Sequence, residues 1–145
     1  MEGYALDAGL LNGEPRTIPG QQQSRLSLSL FGLLYDNTYT SIMDGRLKTV
    51  QRHIGQALFA VQCGEEYPSV KALKGFGGRS VLEIVTDRQS DTWRTVFTVR
   101  FVDVIYVLHA FQKKSRKGIS TPKNELELIH RRLAAAELDY RERQN

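Results

Sequence analysis

The 145-residue sequence has a single cysteine, Cys63, and no long apolar run. One cysteine excludes an internal disulfide and a zinc site built from cysteines. The apolar runs fall far short of the roughly 18 residues that a membrane-spanning helix needs. Near the start, Glu2 is acidic where a signal peptide carries a basic residue. We therefore expect a soluble cytoplasmic protein with no membrane partner.

The motifs of several enzyme classes are missing as well. Gly75, Gly77 and Gly78 fit neither the Walker A spacing nor the dinucleotide-binding fingerprint, and no Gly-x-Ser-x-Gly elbow occurs. Histidines and carboxylates are not grouped at the spacings of metal ligands. The sequence thus predicts no metal site and no cofactor.

Charge is present in quantity but is unevenly distributed. Residues 1–45 carry two basic and five acidic side chains, whereas residues 46–145 carry eighteen basic and eleven acidic ones. A basic surplus of this size favours a polyanionic partner such as RNA, DNA or an acidic protein, because neutralising phosphates releases counterions. Charge alone does not choose among these partners.

The length suffices for one hydrophobic core, but the two parts of the chain differ in composition. Gly, Asn, Pro and Gln are frequent up to Gln23, so we expect residues 1–45 to be an atypical and largely disordered segment. Within it, an alternation of leucines from Leu26 to Leu30 favours a short strand. Residues 46–145 are expected to form the folded domain.

The first clear helical pattern begins at Leu47. Apolar side chains three and four residues apart share one side of a helix, and here they are Leu47, Val50, Ile54, Ala57, Leu58 and Val61. Gly64 is expected to end this helix as a left-handed cap residue. A turn-rich stretch then begins at Pro68.

Three strands and a second helix follow. β-Branched and aromatic residues predict strands over residues 81–86, 93–101 and 104–111. Thr121 as N-cap and Pro122 at the first helical position predict a helix that runs to about Arg141. The expected fold class is α+β: a small antiparallel sheet, formed by a three-stranded meander and the N-terminal strand, packed by helices.

The middle strand places Arg94 and Arg100 on the face opposite Trp93, because side chains alternate along a strand. A charged side chain on a central strand needs a counterion or must border a cleft. Two interpretations stay open. Either the arginines face a binding cleft, or each is paired internally, for example with Glu83 or Asp103.

The third strand carries Tyr106, His109 and Phe111 into a basic run, Lys113 to Lys117. Aromatic rings beside cations suit nucleic acid, because rings stack on bases while cations hold phosphates. A solvated loop is an equally weighted alternative for the run. His109 is a candidate proton carrier, although a packed histidine is commoner on a strand. The other histidines, at positions 53 and 130, are expected at the surface or packed under helices.

Scattered cations with few acid–base residues suit a reaction whose nucleophile belongs to the substrate. RNA supplies such a nucleophile in its 2′-hydroxyl. A protein then needs to orient the bond, stabilise the charge of the phosphorane and help to move protons.

Five stretches carry a family pattern: Lys71 to Gly78, Val81 to Ile84, Thr92 to Phe101, Tyr106 to Ser115, and Gly118 to Pro122. In their order and their residues they resemble the phage-derived HigB-type branch of the RelE/ParE toxin superfamily. The resemblance covers roughly residues 47–141. Residues 1–45 lack the opening that is usual in this family.

The resemblance implies a compact sheet packed by helices and the toxin of a type II toxin–antitoxin system. It further implies an endoribonuclease that cuts mRNA in the ribosomal A site and is neutralised by a cognate antitoxin, often a helix-turn-helix protein. The catalytic residues implied are Arg94, Lys113 and Lys114, with His109 as an optional proton carrier. The RNA-binding residues assigned with them are Lys74, Arg79, Arg100, Tyr106, Phe111 and Lys117.

Glu83 is expected to orient an arginine rather than to act as a base, because an exposed carboxylate is a weak base at neutral pH. Two other functions stay open: a ParE-like inhibitor of DNA gyrase that cuts nothing, and an inactive remnant. The basic run beside Phe111 favours the nuclease, since a gyrase inhibitor does not need cations that converge on one sheet face.

Overall fold

A computed structural model of the chain describes residues 27–29, 48–78, 80–88, 90–113 and 121–145. The strands in these ranges are β1 (Ser27–Ser29), β2 (Val70–Ala72), β3 (Val81–Arg88), β4 (Asp91–Thr98) and β5 (Val104–Lys113). The helices are α1 (Lys48–Gln62) and α2 (Lys123–Gln144). Apart from β1, residues 1–47 lie outside the described ranges, so the expected disorder of residues 1–45 and the boundary after residue 45 stay predictions.

The strands form one sheet in the order β1-β5-β4-β3-β2. Neighbours from β2 to β5 are antiparallel, whereas β1 runs parallel to β5, with Ser27 beside Val104 and Ser29 beside Tyr106. The α+β class and the antiparallel meander are thereby confirmed. One strand, β2, lies in the stretch that was predicted to be turn. The prediction missed it because three residues are too few to show a strand's alternation.

Helix α1 ends as its sequence predicts. Gly64 has a φ of 76°, its N–H donates to the carbonyl of Val61, and the N–H of Glu65 donates to the carbonyl of Ala60. This pair of hydrogen bonds is the Schellman motif, in which a left-handed glycine satisfies the last carbonyls of the helix.

Each helix covers one face of the sheet. The buried cluster on the α1 side contains Val50, Ile54, Ala57, Leu58, Ile84, Trp93, Phe97, Ile105, Val107 and Ala110. The cluster on the α2 side contains Leu73, Phe76, Val81, Val96, Phe101, Tyr106, Leu108, Phe111, Ile129, Leu133 and Ala136. We call the second side the α2 face. Because Val96 belongs to it and side chains alternate, Arg94 lies on the α2 face too.

Helix α2 differs slightly from its prediction. It begins at Lys123, with Pro122 rather than Thr121 at the N-cap position and no side-chain cap, and it continues past Arg141 to Gln144. The prediction placed both residues one position too far into the helix. Neither α1 nor α2 is long and apolar enough to cross a membrane.

Candidate functional site

The register of the sheet collects charged side chains on the α2 face. Arg94 pairs with Phe111 on β5 and with Val85 on β3, and Glu83 pairs with Lys71 on β2. Glu83 is two residues from Val85, and Lys113 is two residues from Phe111, so all four charged side chains share this face. The antiparallel pairing of β2, β3, β4 and β5 suffices to bring these four side chains together.

Arg94 and Glu83 form a buried ion pair. Nη1 of Arg94 donates to both carboxylate oxygens of Glu83, at 2.9 and 2.8 Å, and the two side chains are 15% and 4% exposed. Nε of Arg94 is buried without a hydrogen-bond partner in the described part of the chain. Internal pairing with Glu83, one of the two open interpretations, is therefore confirmed for Arg94. Glu83 contacts an arginine as expected, but it is buried, so the exposed carboxylate assumed in that expectation was wrong.

Lys71 adds a second cation to this carboxylate. Its Nζ lies 3.7 Å from Oε1 of Glu83, and its side chain is 60% exposed. The sequence reasoning missed Lys71 as a site residue, because its place opposite Glu83 depends on β2, which was not predicted.

Lys113 is a third cation beside the same carboxylate. It is 6% exposed, and burial, together with the charges of Arg94 and Lys71, lowers its pKa, while Glu83 acts in the opposite direction. No carboxylate in the described ranges lies within ion-pair distance of its Nζ. We call Lys71, Arg94 and Lys113 the cation cluster. In the described ranges Glu83 is the one carboxylate beside these three side chains, so the cation cluster has an excess of positive charge, part of it buried, which favours an anionic ligand.

His109 is tied to α2 at both ring nitrogens. Nε2 contacts Oε2 of Glu125, and Nη1 of Arg132 lies 3.0 Å from Nδ1. The ring is 3% exposed and stacks on Phe111 with centroids 5.2 Å apart. Glu125 and Arg132 were missed from sequence, although their spacing of seven residues puts them on one side of a helix.

The other assigned cations do not join the cluster within the described residues. Arg100 is exposed near the opposite end of β4, with Nη2 3.3 Å from Oγ of Ser80. It lies two residues beyond the end of β4 and six positions after Arg94 in the sequence. Lys74 is exposed in the turn after β2. The assignments of Arg79, Lys114 and Lys117 fall outside the described ranges.

Tyr106 requires a correction. It was expected to stack on a base, but its side chain is 0% exposed, and its hydroxyl donates to Oδ2 of Asp139 at 2.7 Å. Burial and this hydrogen bond raise its pKa. Because no ring face is accessible, Tyr106 is a core residue in this structure.

Phe111 is only slightly more accessible, at 6% exposure, and belongs to the core cluster against α2. A base cannot stack on a ring that is covered in this way, so the stacking role expected from the sequence is not supported by its position. The ring does lie directly opposite Arg94.

The two other histidines pack as expected. His53 of α1 lies 2.7 Å from Oγ1 of Thr86 through Nδ1 and 2.9 Å from Oγ of Ser69 through Nε2. His130 of α2 stacks on Phe76, with centroids 4.1 Å apart.

An open groove of about 860 Å³ lies along β2 and the end of α1, away from Arg94 and Lys113. Its walls are mostly apolar, with Glu65 and Glu66 among the residues that line it. No group of three or more histidines, cysteines and carboxylates is placed to hold a metal ion in the part of the chain that the structure describes.

The fold and site define a small basic α+β protein with a cluster of cations in one face of its sheet. The model of the phage-derived Gp49-like proteins (DUF891) matches residues 44–134, and the chain belongs to this family. The match spans α1, β2 to β5 and the first half of α2. A comparison with curated proteins found no match.

Proposed function

We propose that this protein is the toxin of a type II toxin–antitoxin pair and cuts mRNA in the ribosomal A site. Its membership of a phage-derived family, the basic surplus of residues 46–145 and the cation cluster support the proposal. The observation that carries it is Lys113, a buried cation beside Arg94 with no carboxylate partner in the described ranges. Such a group is suited to an anion that arrives from outside the chain.

The reaction takes its nucleophile from the RNA. The ribose 2′-oxygen forms a bond to phosphorus and the bond to the 5′-oxygen breaks, which leaves a 2′,3′-cyclic phosphate and a 5′-hydroxyl. The proton of the 2′-hydroxyl passes to solvent, and the leaving 5′-oxygen takes up a proton. In this proposal Arg94 and Lys113 contact the non-bridging oxygens and stabilise the developing charge.

Lys113 is also the best candidate to protonate the leaving oxygen. Burial and the neighbouring cations lower its pKa, and an ammonium with a lowered pKa gives up its proton more readily at neutral pH. Glu83 holds Arg94 in place through two hydrogen bonds. Lys114, adjacent in sequence, remains a proposed catalytic residue.

Arg100 and Lys74 are proposed to contact other phosphates of the same RNA. They are exposed, and Arg100 lies beyond the end of β4, where its guanidinium contacts Ser80 rather than the cation cluster. Arg79 and Lys117 are proposed to add to this basic track. The protein would act in the cytoplasm, where ribosomes are, and would be held inactive by an antitoxin of the helix-turn-helix type.

The test is controlled expression in growing bacteria, followed by mapping of RNA ends in translated messages. The wild-type chain is compared with Lys113→Met and with the matched control Lys48→Met, which changes an exposed lysine on α1. We expect new RNA ends within codons for the wild type and for Lys48→Met, and none for Lys113→Met.

The other outcomes count against the proposal. Intact transcripts together with DNA breaks would identify a gyrase inhibitor instead. A wild-type chain that neither cuts RNA nor slows growth would identify an inactive remnant.

A further inference from the structure

His109 lies between α2 and the cation cluster. Along β5, His109, Phe111 and Lys113 are spaced by two residues and share the α2 face. The imidazole ring is nearly parallel to the ring of Phe111, at an interplanar angle of 20°. Phe111 is the cross-strand neighbour of Arg94. The position of His109 therefore affects, by direct contact, the position of Phe111, which lies beside Arg94.

The partners of the imidazole fix where its proton sits. The guanidinium of Arg132 only donates hydrogen bonds, so Nδ1, 3.0 Å from its Nη1, must present a lone pair. The carboxylate of Glu125 only accepts, so Nε2, which contacts its Oε2, must carry the hydrogen. These contacts describe a neutral ring in the Nε2–H form, with both nitrogens in use.

The same two residues hold the backbone of β5. Nη1 of Arg132 also donates to the carbonyl oxygen of Leu108, at 2.9 Å. Glu125 and Arg132 are two turns apart on α2, so they reach the strand from one side of the helix. Helix α2 thus contacts β5 at residues 108 and 109, two residues before Phe111.

We infer that Glu125 and Arg132 are positioning residues which hold His109 as a neutral bridge between α2 and the sheet. In this arrangement His109 does not carry a proton during the reaction, because moving one requires breaking its contact with Glu125 or Arg132. Its role is to fix Phe111, and through it the end of the sheet that bears Arg94 and Lys113. The effect on catalysis rests on the proposed function, whereas the state of the ring does not.

The first experiment measures the ring directly. The full-length chain is labelled with ¹⁵N in its histidines, and the His109 signals are assigned by their loss in His109→Gln. At pH 7.5 we expect an unprotonated Nδ1 and a protonated Nε2. A ring protonated at Nδ1, whether alone or together with Nε2, would overturn the inference.

A second labelled sample tests the part played by Arg132. Arg132→Met removes the donor that faces Nδ1, so Nδ1 is expected to become partly protonated while Nε2 keeps its hydrogen bond to Glu125. The matched control is Arg131→Met, which changes the exposed neighbouring arginine of α2 and should leave the tautomer as in the wild type. An unchanged ring in Arg132→Met would show that Arg132 does not set the tautomer.

Cleavage rates then separate positioning from proton transfer. Glutamine places an amide N–H near the position of Nε2, so His109→Gln keeps the hydrogen bond to Glu125 but loses the ring that stacks on Phe111, and its cleavage rate should lie between those of the wild type and His109→Ala. His109→Ala and Glu125→Ala should lower kcat by about 10–100-fold through misplacement of the site. If His109→Gln is as inactive as His109→Ala while both keep the wild-type circular dichroism, His109 carries a proton and the inference is wrong. A wild-type chain that cuts nothing would refute the proposed function and leave the tautomer result to decide this inference.

Discussion

Arg94 and Glu83 lie on neighbouring strands and are joined by two hydrogen bonds from a single guanidinium nitrogen, Nη1, to the two carboxylate oxygens. Glu83 is almost fully buried, with a side-chain exposure of 4%. The pair therefore has a structural role in addition to any role in binding, and a variant that removes one partner affects both.

Arg94→Ala is expected to destabilise the protein, because it leaves Glu83 buried without the two hydrogen bonds from Arg94, even though Lys71 and Lys113 remain nearby. Breaking a buried pair costs about 3 kcal/mol or more. The double variant Glu83→Gln with Arg94→Met removes both charges and should recover most of the free energy of unfolding, but no RNA cleavage. Urea denaturation and a cleavage assay measure the two effects. A double variant as unstable as Arg94→Ala, or one that still cuts RNA, would contradict this account.

Lys113→Met is expected to raise the free energy of unfolding, because it removes a buried cation that has no carboxylate partner in the described ranges.

The lowered pKa of Lys113 also predicts how stability changes with pH. Since the folded-state pKa of Lys113 lies below the ordinary 10.5, the unfolded chain binds this proton more tightly, and its contribution favours folding increasingly as the pH rises from the folded pKa towards 10.5. The wild type should therefore gain stability relative to Lys113→Met between pH 8 and pH 10 in urea titrations. A difference that is constant over this range would show that folding does not perturb Lys113.

His53 makes stability depend on pH at the acidic side. Burial lowers its pKa from the ordinary 6.5, while Asp87 acts in the opposite direction, and Thr86 and Ser69 hold both ring nitrogens. Its contribution to stability is fully present above pH 6.5 and is lost as the pH falls from there towards the folded pKa. Between pH 7.5 and pH 5.5 the wild type should lose more stability in urea than His53→Gln does. Equal losses in the two proteins would mean that another group is responsible.

Gly64→Ala tests the end of α1. The left-handed φ of 76° strains any residue with a Cβ atom, and no neighbouring atom lies within 4 Å of an added Cβ. The cost should therefore come from the backbone alone, at about 1 kcal/mol. Gly64→Asn should cost less, because asparagine tolerates this conformation. Thermal unfolding of the two variants measures the difference, and equal losses would point to a cause other than φ.

The sequence predicted the local features of the fold and left out the pairings between distant segments. The helical period from Leu47 and the left-handed Gly64 depend on interactions between residues close in the sequence, and both the helix and the glycine cap are present in the structure. The strand near Leu28 was expected, but its parallel pairing with β5 was not. Local pattern does not encode the direction of a partner that is some eighty residues away in the chain.

The candidate site was predicted in the same uneven way. The pairing of Arg94 with Glu83 was one of two interpretations left open by strand alternation, and it could be considered at all because the two residues lie on adjacent strands of one hairpin. Tyr106 was misplaced, since the alternation that gave its face did not show that α2 covers that face. The contacts of His109 with Glu125 and Arg132 depend on how α2 packs against the sheet. The sequence pattern of α2 does not show which strand residues it will contact.

We propose that Arg94 and Lys113, from separate strands, bind one RNA phosphate. The decisive measurement is the rate at which purified protein cuts mRNA on programmed ribosomes, compared between wild type, Lys113→Met and the exposed control Lys48→Met. We expect Lys113→Met to be folded, at least as stable as the wild type, and slower by at least about 100-fold, which is the scale seen when one group that stabilises a transition-state charge is removed. Lys48→Met should match the wild type. A folded Lys113→Met protein that cuts at the wild-type rate would contradict the account.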